Sequence, residues 1–349
     1  MSASPVIIAM GARTPVGLTA PASAAAFRAG ISRHGMHPTM IDGAGDPLRC
    51  ALDGTLDPEL RGVQRAEALA VSAFRECWTP LSERELRVSV WVGFPETRPG
   101  WTAQDAAHVM RSLTGELGAH AKPERVMTLS RGHASGLVGL ELAVKDVVSG
   151  AIDVGIVGGV DTYLHHETID WLDETRQLST ATNRSSFVPG EAAGFLAVAL
   201  PQTARSLRMP PLARVRGVAT AQEPHPIKTP GICIGEGLTA AIRGATAPLR
   251  LPEEKIADTY CDINGERYRS DELLYVPLRV WAPFVDSNRY ESPANCWGDV
   301  GAASGPLFAV LAVASGLRGY ARGSHVLLWT SAEGGTRAAA TLSLDPGNR

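Results

Sequence analysis

The chain has 349 residues, of which 44% are hydrophobic and 20% are charged. Its formal net charge is -3, and acidic and basic residues alternate along the whole length, which disfavours binding to nucleic acid or anionic lipid. No apolar run approaches the roughly 20 residues of a membrane span, and the N-terminus lacks the pattern of a signal peptide. We therefore expect a cytoplasmic globular protein with one large or two modest cores.

The five cysteines are odd in number and widely spaced, and no two form a C-x-x-C pair. This pattern favours reduced thiols over a disulfide framework and disfavours a structural zinc site. The paired glycines at 158–159 and 334–335 lack the spacing of a phosphate-binding loop. The sequence thus predicts no cofactor and no metal.

The first half alternates short apolar runs with helical patterns. Residues 6–10 predict a strand, and residues 65–78 place apolar side chains at helical spacing. A buried strand is predicted at 88–93, an apolar helix at 134–148 and a further buried strand at 153–160.

The second half repeats this alternation after a polar, proline-containing stretch at 202–215. Strands are predicted at 212–219, 256–261 and 326–330, and helices at 237–249 and 306–320. We expect an α/β protein in two similar halves, residues 1–205 and 206–349, although no residue-level repeat between them is evident.

Five segments also carry recognisable glycine-rich motifs in a fixed order. They are MGARTPVG near the start, GHASG at 132–136 with the following helix and DVGIVGGVDTY, FVPGEAAG at 187–194, GDVGAASG at 298–305 and EGGT at 333–336. In this order they resemble the opening loop, nucleophile elbow, hairpin, histidine loop and closing loop of β-ketoacyl synthases, a branch of the thiolase superfamily. The resemblance implies a layered αβαβα fold with two pseudo-duplicated, five-stranded mixed sheets.

The residues with which that family makes carbon–carbon bonds are all replaced. The elbow cysteine falls on His133, the first catalytic histidine on Asn264 and the second on Asp299. The family's lysine falls on Ala294 and its aromatic gate on Glu333. Since an acyl-imidazole hydrolyses readily, His133 does not replace a thioester-forming cysteine, and the resemblance implies a degenerate, non-condensing site.

Several roles for these positions remain open. His133 at a helix N-terminus is most simply a packed, hydrogen-bonded histidine, where the helix dipole disfavours protonation. A His133–Asp299 or His133–Asn264 pair could instead perform acid–base chemistry, and His133, Asp299 and Glu266 could in principle ligate a metal. Cys261 and Cys296 lie three residues before Asn264 and Asp299 and are candidates for a relocated nucleophile, although burial explains them as well.

Three functions are therefore considered. The leading hypothesis is a non-catalytic binding or assembly partner, as in ketosynthase partner subunits that lack the cysteine and in ketosynthase-like proteins of some bacterial type VI secretion clusters. The alternatives are an acyltransferase or thioester-processing enzyme acting on acyl-carrier-protein or coenzyme A thioesters, and a regulator that binds a small apolar ligand. The resemblance also implies a homodimer built on the strand at about 126–130, and a carrier protein or secretion-associated protein as partner.

Overall fold

The computed structural model describes residues 4–344. The strands in this part of the chain are β1 (Val6–Arg13), β2 (His34–Ile41), β3 (Pro47–Ala51), β4 (Leu86–Phe94), β5 (Ala121–Ser130), β6 (Val154–Thr162), β7 (Glu191–Ala199), β8 (Ala213–Gln222), β9 (Ile256–Cys261), β10 (His325–Ser331) and β11 (Thr336–Leu344). The helices are α1 (Ala20–Arg28), α2 (Gly62–Trp78), α3 (Ala103–Gly115), α4 (Ser135–Val148), α5 (His166–Glu174), α6 (Pro201–Ser206), α7 (Glu236–Thr246), α8 (Arg267–Arg279), α9 (Ala294–Trp297) and α10 (Ser304–Leu317).

Nine strands form one mixed sheet in the order β5-β4-β6-β7-β1-β8-β11-β10-β9. The first five strands come from the first half of the chain and the last four from the second half. The two halves of the sheet meet through a short antiparallel pairing in which Val6 and Ile7 face Arg214 and Ala213. The strands β2 and β3 pair separately as a hairpin.

The prediction of two five-stranded sheets is therefore wrong in two details, because β1 and β8 join the sheets into one and the second half contributes four strands. Beside β9, where a fifth strand of the second half is expected, the chain makes only isolated parallel bridges from Phe284 to Ile256 and from Glu291 to Tyr260. Two prolines, Pro283 and Pro293, flank these bridges, and a proline cannot donate to a strand ladder. The mixed α/β architecture itself is as predicted.

The helices occupy three layers around the sheet. The helices α2 and α3 cover the outer face of the first half, and α7 and α8 cover that of the second. Between the halves lie α4 and α10, and α10 is buried from Ser304 to Gly316. A helix that is apolar on every side requires such a central position, which explains why SGPLFAVLAVASG has no polar face.

The two central helices begin in the same way. Each follows a single tight turn, 132–134 before α4 and 301–303 before α10, and each turn starts with a glycine in the left-handed region, Gly132 at φ 49° and Gly301 at φ 46°. The local sequences GHASG and GAASG are nearly identical. The sequence analysis did not identify this repeat, because it covers only five residues and lies within two separately recognised motifs.

Most predicted elements occur with small shifts at their ends. The strand at 256–261 is correct as predicted, and α4 begins at Ser135 because 132–134 forms the tight turn. The sequence analysis missed, among others, the β2–β3 hairpin, the helices α3, α5 and α8, and the last strand β11. None of the helices in residues 4–344 has the length and hydropathy of a membrane span.

Candidate functional site

His133 lies at the junction between β5 and α4, as predicted. Gly132 supplies the positive φ that lets the chain reverse there, and the side chain of His133 is only 7% exposed. Ser135 locks the turn, because its Oγ accepts a hydrogen bond from the Arg131 amide at 2.8 Å and donates one to the Leu129 carbonyl at 2.8 Å. The imidazole is thereby aimed at the loops that follow β9 and precede α10.

The structure brings the three predicted positions together around Asp299. His133 Nε2 lies 2.9 Å from each oxygen of the Asp299 carboxylate, and Asn264 Nδ2 donates to Asp299 Oδ2 at 2.5 Å. The Tyr163 hydroxyl donates to Asp299 Oδ1 at 3.1 Å, and the Gly301 amide does so at 2.8 Å. Donors thus surround the carboxylate, which is 3% exposed.

These contacts set the ionisation of the pair. Burial by itself would raise the pKa of Asp299, but the charge and hydrogen bond of His133, the charge of Arg269 and the amide of Asn264 hold it well below its usual value. For His133, burial and Arg269 act to lower the pKa, yet Asp299 outweighs them and raises it. The raised pKa of His133 and the lowered pKa of Asp299 both favour an imidazolium–carboxylate pair, which is opposite to the effect expected from the helix dipole alone.

Arg269 fills the space beside His133. Its side chain is fully buried, with Nη1 donating to Asp262 at 2.7 Å and to the Ser331 carbonyl at 2.7 Å, and Nε donating to Glu266 at 3.1 Å. Nη2 lies 3.3 Å from His133 Nε2. The guanidinium therefore already provides a cation between Glu266 and His133, which is incompatible with a metal held by His133, Asp299 and Glu266.

Two further ion pairs line the cavity. Arg98 Nη2 donates to Asp161 at 2.7 Å, and the Arg98 guanidinium lies 4.2 Å above the ring of Tyr163. At the mouth, Lys228 Nζ lies 2.9 Å from Glu333 and 2.8 Å from Gln177, which also donates to Glu333. Glu333, at the position of the family's aromatic gate, is thus held by a lysine and a glutamine.

Little room remains inside this ring of charged groups. The cavity at His133 has a volume of about 100 Å³. Sites for small molecules commonly have about 300–1,000 Å³ and are mostly apolar. An acyl chain does not fit into a space of this size and polarity.

Neither candidate cysteine is an activated nucleophile. Cys261 is fully buried and its Sγ lies 3.6 Å from the Glu291 carbonyl, while burial raises the pKa of this thiol. Burial also raises the pKa of the Cys296 thiol. A raised pKa reduces the thiolate fraction, and neither cysteine lines the His133 cavity.

One group of three potential metal ligands lies elsewhere in the described residues. Atoms of Glu223, Cys233 and Glu272 lie within 4.8 Å of one another. Arg337 Nε donates to Glu272 at 2.6 Å, so a guanidinium already neutralises part of the negative charge. The predicted absence of a metal stays a prediction.

The sequence analysis missed Arg269, Tyr163, Arg98 and Asp161, all of which line the cavity. Asp161 and Tyr163 stand at the end of the recognised DVGIVGGVDTY segment, so the position of that strand beside the elbow was an available signal. No sequence signal pointed to Arg269, because its role depends on how the first turn of α8 packs against β10.

Comparisons with known proteins agree with this architecture. Residues 125–199 match the family model for the β-ketoacyl synthase N-terminal domain. No curated protein sequence matches the chain.

Solved structures of ketosynthases are similar over nearly the whole chain. The ketosynthase from module 6 of the bacillaene synthase of Bacillus subtilis 168 superimposes with a TM-score of 0.80 at 16% identity, covering 98% of this chain and 72% of that one. The ishigamide ketosynthase/chain length factor superimposes with a TM-score of 0.73 at 21% identity, and the match covers 98% of this chain and 99% of that one. The type II polyketide ketosynthase AntDE, in complex with the acyl-carrier protein AntF, superimposes with a TM-score of 0.78 at 14% identity. This match covers 99% of this chain and 100% of that one.

Proposed function

We propose that this protein, which is ketosynthase-like and has the fold of the thiolase superfamily, is a non-condensing binding or assembly partner and not a condensing enzyme. The observation that carries the proposal is the filled site. The carboxylate of Asp299 is saturated by His133, Asn264, Tyr163 and the Gly301 amide, and Arg269 is buried beside them.

The chemistry of these residues supports the same conclusion. A condensing enzyme needs a nucleophile that holds the acyl chain and a neutral base or donor beside it. Here the residue at the elbow is an imidazole whose Nε2 lies 2.9 Å from both carboxylate oxygens of Asp299, and Asp299 raises its pKa against the effect of burial. This also disfavours the acyltransferase alternative, because Asp299 occupies Nε2 of His133 and Arg269 Nη2 lies 3.5 Å from its Nδ1, which leaves neither ring nitrogen open to a substrate.

Binding to another protein is the function that we propose for this scaffold. One structural neighbour is a ketosynthase in complex with its acyl-carrier protein, and another is a ketosynthase/chain length factor. By analogy we propose a carrier protein or a secretion-associated protein as the partner of this chain. A link to bacterial type VI secretion is part of the proposal and rests on analogy with the degenerate ketosynthase-like proteins of such clusters.

We further propose a homodimer that forms along β5. This strand is the edge of the sheet and pairs only with β4 within the described chain, and Met127 on it is 48% exposed. An unpaired strand edge favours addition of a further strand, here from a second copy. A cytoplasmic location is proposed as well, since all five cysteines are free.

The catalytic part of the proposal is tested with thioester substrates. The protein is incubated with acetyl-, malonyl- and hexanoyl-coenzyme A and with the matching acyl-carrier-protein thioesters. Intact-protein mass spectrometry is expected to show no acyl adduct, and thiol release should equal that of a protein-free control. Thioester consumption that disappears in His133→Ala would overturn the proposal and support the acyltransferase alternative.

A second variant separates loss of the nucleophile from loss of the channel. His133→Cys restores a thiol at the elbow, but the cavity of about 100 Å³ remains too small for an acyl chain. We expect no acyl-enzyme from this variant either. An adduct on the introduced thiol would mean that only the nucleophile is missing.

The binding part is tested by affinity purification from the native host. The tagged full-length chain should retain a stoichiometric partner that a tag-only control does not. Recovery of no stable partner, with the protein folded, would contradict the proposal.

A further inference from the structure

An apolar groove lies between α1 and the end of α10, and none of its lining residues belongs to the His133 cavity. Its volume is about 550 Å³, compared with about 100 Å³ at His133. This volume is within the range of about 300–1,000 Å³ that is usual for small-molecule sites. The space that the fold offers to a ligand is therefore outside the degenerate site.

The groove exists because α1 carries short side chains on the face that meets α10. Pro21, Ala24, Ala25 and Ala29 form one wall, and none of them reaches far enough to fill the gap. Leu317 on the opposite wall is left 46% exposed. Apolar surface in contact with water favours a ligand that buries it, by roughly 25 cal/mol per Å².

Two guanidinium groups stand at the rim. Arg28 ends α1 and Arg318 caps α10, and both line the groove. Neither takes part in any ion pair among residues 4–344. Both charges are thus available to an anion, whereas most other arginines that line cavities here are paired.

Tyr320 positions the guanidinium group of Arg28. The Arg28 guanidinium lies 3.8 Å from the centroid of the Tyr320 ring, which holds it at the mouth of the groove. Burial raises the pKa of Tyr320, and the positive charges of Arg28 and Arg318 act in the opposite direction. An anionic group at Tyr320 would meet two positive charges and a hydroxyl donor.

A polar cavity of about 430 Å³ adjoins the groove and shares Arg28 and Tyr320 with it. Its carboxylates, Asp258 and Glu291, are each 3.1 Å from Arg322 Nη1 and so do not compete for Arg28. Arg28 therefore places a positive charge where the apolar groove meets the polar cavity.

We propose that this groove binds a single aliphatic chain with an anionic head group, such as a free medium-chain carboxylate. The chain lies along Ala25 and Leu317, and the head group lies against Arg28, Arg318 and the Tyr320 hydroxyl. The site is independent of the proposed function, because it involves neither His133 nor a protein partner.

The test compares three ligands of equal chain length that differ only in charge, namely decanoate, 1-decanol and decyltrimethylammonium, each below its micellar concentration. Decanoate is expected to bind the full-length protein in isothermal titration calorimetry and to raise its melting temperature, since a ligand that binds only the native state stabilises it. Decyltrimethylammonium should bind about tenfold more weakly or worse, which corresponds to about 1.4 kcal/mol. Equal binding of the cation would overturn the assignment of the head group.

Two exposed positions on α1 provide matched variants. Ala25→Trp fills the groove, whereas Ala22→Trp places the same side chain on a part of α1 that does not line it. Decanoate binding should be lost in the first variant and kept in the second, with circular dichroism confirming that both are folded. The double variant Arg28→Gln, Arg318→Gln should reduce the affinity for decanoate without changing that for 1-decanol.

Unchanged decanoate binding in Ala25→Trp would refute the site. Binding that occurs only with vesicles of an anionic phospholipid, and not with free decanoate, would refute the free ligand in favour of a lipid surface. Neither outcome bears on thioester turnover or on partner recovery, so failure here is distinguishable from failure of the proposed function.

Discussion

His133 Nε2 lies 2.9 Å from both carboxylate oxygens of Asp299, across 166 residues of sequence. His133 lies in the turn before α4, and Asp299 lies two residues before the equivalent turn that precedes α10, so the packing of these two central helices brings the residues together. In a condensing enzyme of the resembled family, the corresponding positions carry a nucleophile and a base. Here they carry a buried, hydrogen-bonded histidine and aspartate, and this difference leads to the following predictions.

Asp299→Asn should lower the free energy of unfolding by about 3–5 kcal/mol, because it removes the buried charge that His133, Asn264 and Tyr163 share. Urea denaturation at neutral pH measures the change. Glu85→Gln is the control, since Glu85 and its partner Lys122 are 75% and 65% exposed and such pairs contribute about 0–1 kcal/mol. If the two variants lose the same small amount, the buried network does not stabilise the fold.

The stability contributed by His133 should depend on pH with a defined sign. Its folded pKa is raised above the ordinary value of 6.5, by Asp299 against burial, so its contribution is complete below pH 6.5 and is lost as the pH rises through the folded pKa. The difference in unfolding free energy between the wild type and His133→Gln should therefore shrink above pH 6.5. Chemical denaturation at a series of pH values gives this difference directly.

His325 provides the opposite sign in the same experiment. Burial lowers the pKa of His325, so its protonation opposes folding, and the difference between the wild type and His325→Gln should grow as the pH rises toward its ordinary value of 6.5. Parallel curves for the two variants would argue against an imidazolium at position 133.

Gly159→Ala should destabilise the protein by about 1–3 kcal/mol or more, because a Cβ at this position would lie 2.0 Å from the Ala302 carbonyl oxygen and force β6 away from the turn before α10. The control is Gly115→Ala at the end of α3, where nothing lies within 4 Å of the added carbon. That change should be neutral or stabilising by about 0.5–1 kcal/mol. Thermal unfolding of both variants distinguishes contact between the halves from a general glycine effect.

Met127→Arg should convert the proposed dimer into a monomer of 36.9 kDa, since two arginines would face each other across the symmetric β5 edge. Light scattering after gel filtration reports the mass. Ile41→Arg introduces the same charge at a residue that is 59% exposed on β2 and should leave the dimer intact. A wild type that is monomeric at all concentrations would refute the dimer.

Much of the fold could be predicted because its signals are local. The buried strands β4 and β6 are short apolar runs, and the amphipathic helix α2 follows a helical period. The hairpin β2–β3 could not be predicted, since most of its residues are exposed or half-buried and carry no alternating pattern. The missing fifth strand beside β9 was not foreseen either, because the expectation came from the resemblance and not from residues 280–293.

By itself, the sequence determined the α/β class and the turn at His133, and it predicts from the resemblance that all three catalytic positions are replaced, since each of these depends on a few consecutive residues. Only the tertiary structure decided that Asp299 is shared by His133, Asn264 and Tyr163, that Arg269 fills the site, and that an apolar groove opens beside α1. These features join residues far apart in the chain. The packing of the two halves around α4 and α10 decides whether such residues come within about 3 Å, the distance of a hydrogen bond. No local sequence pattern encodes that packing.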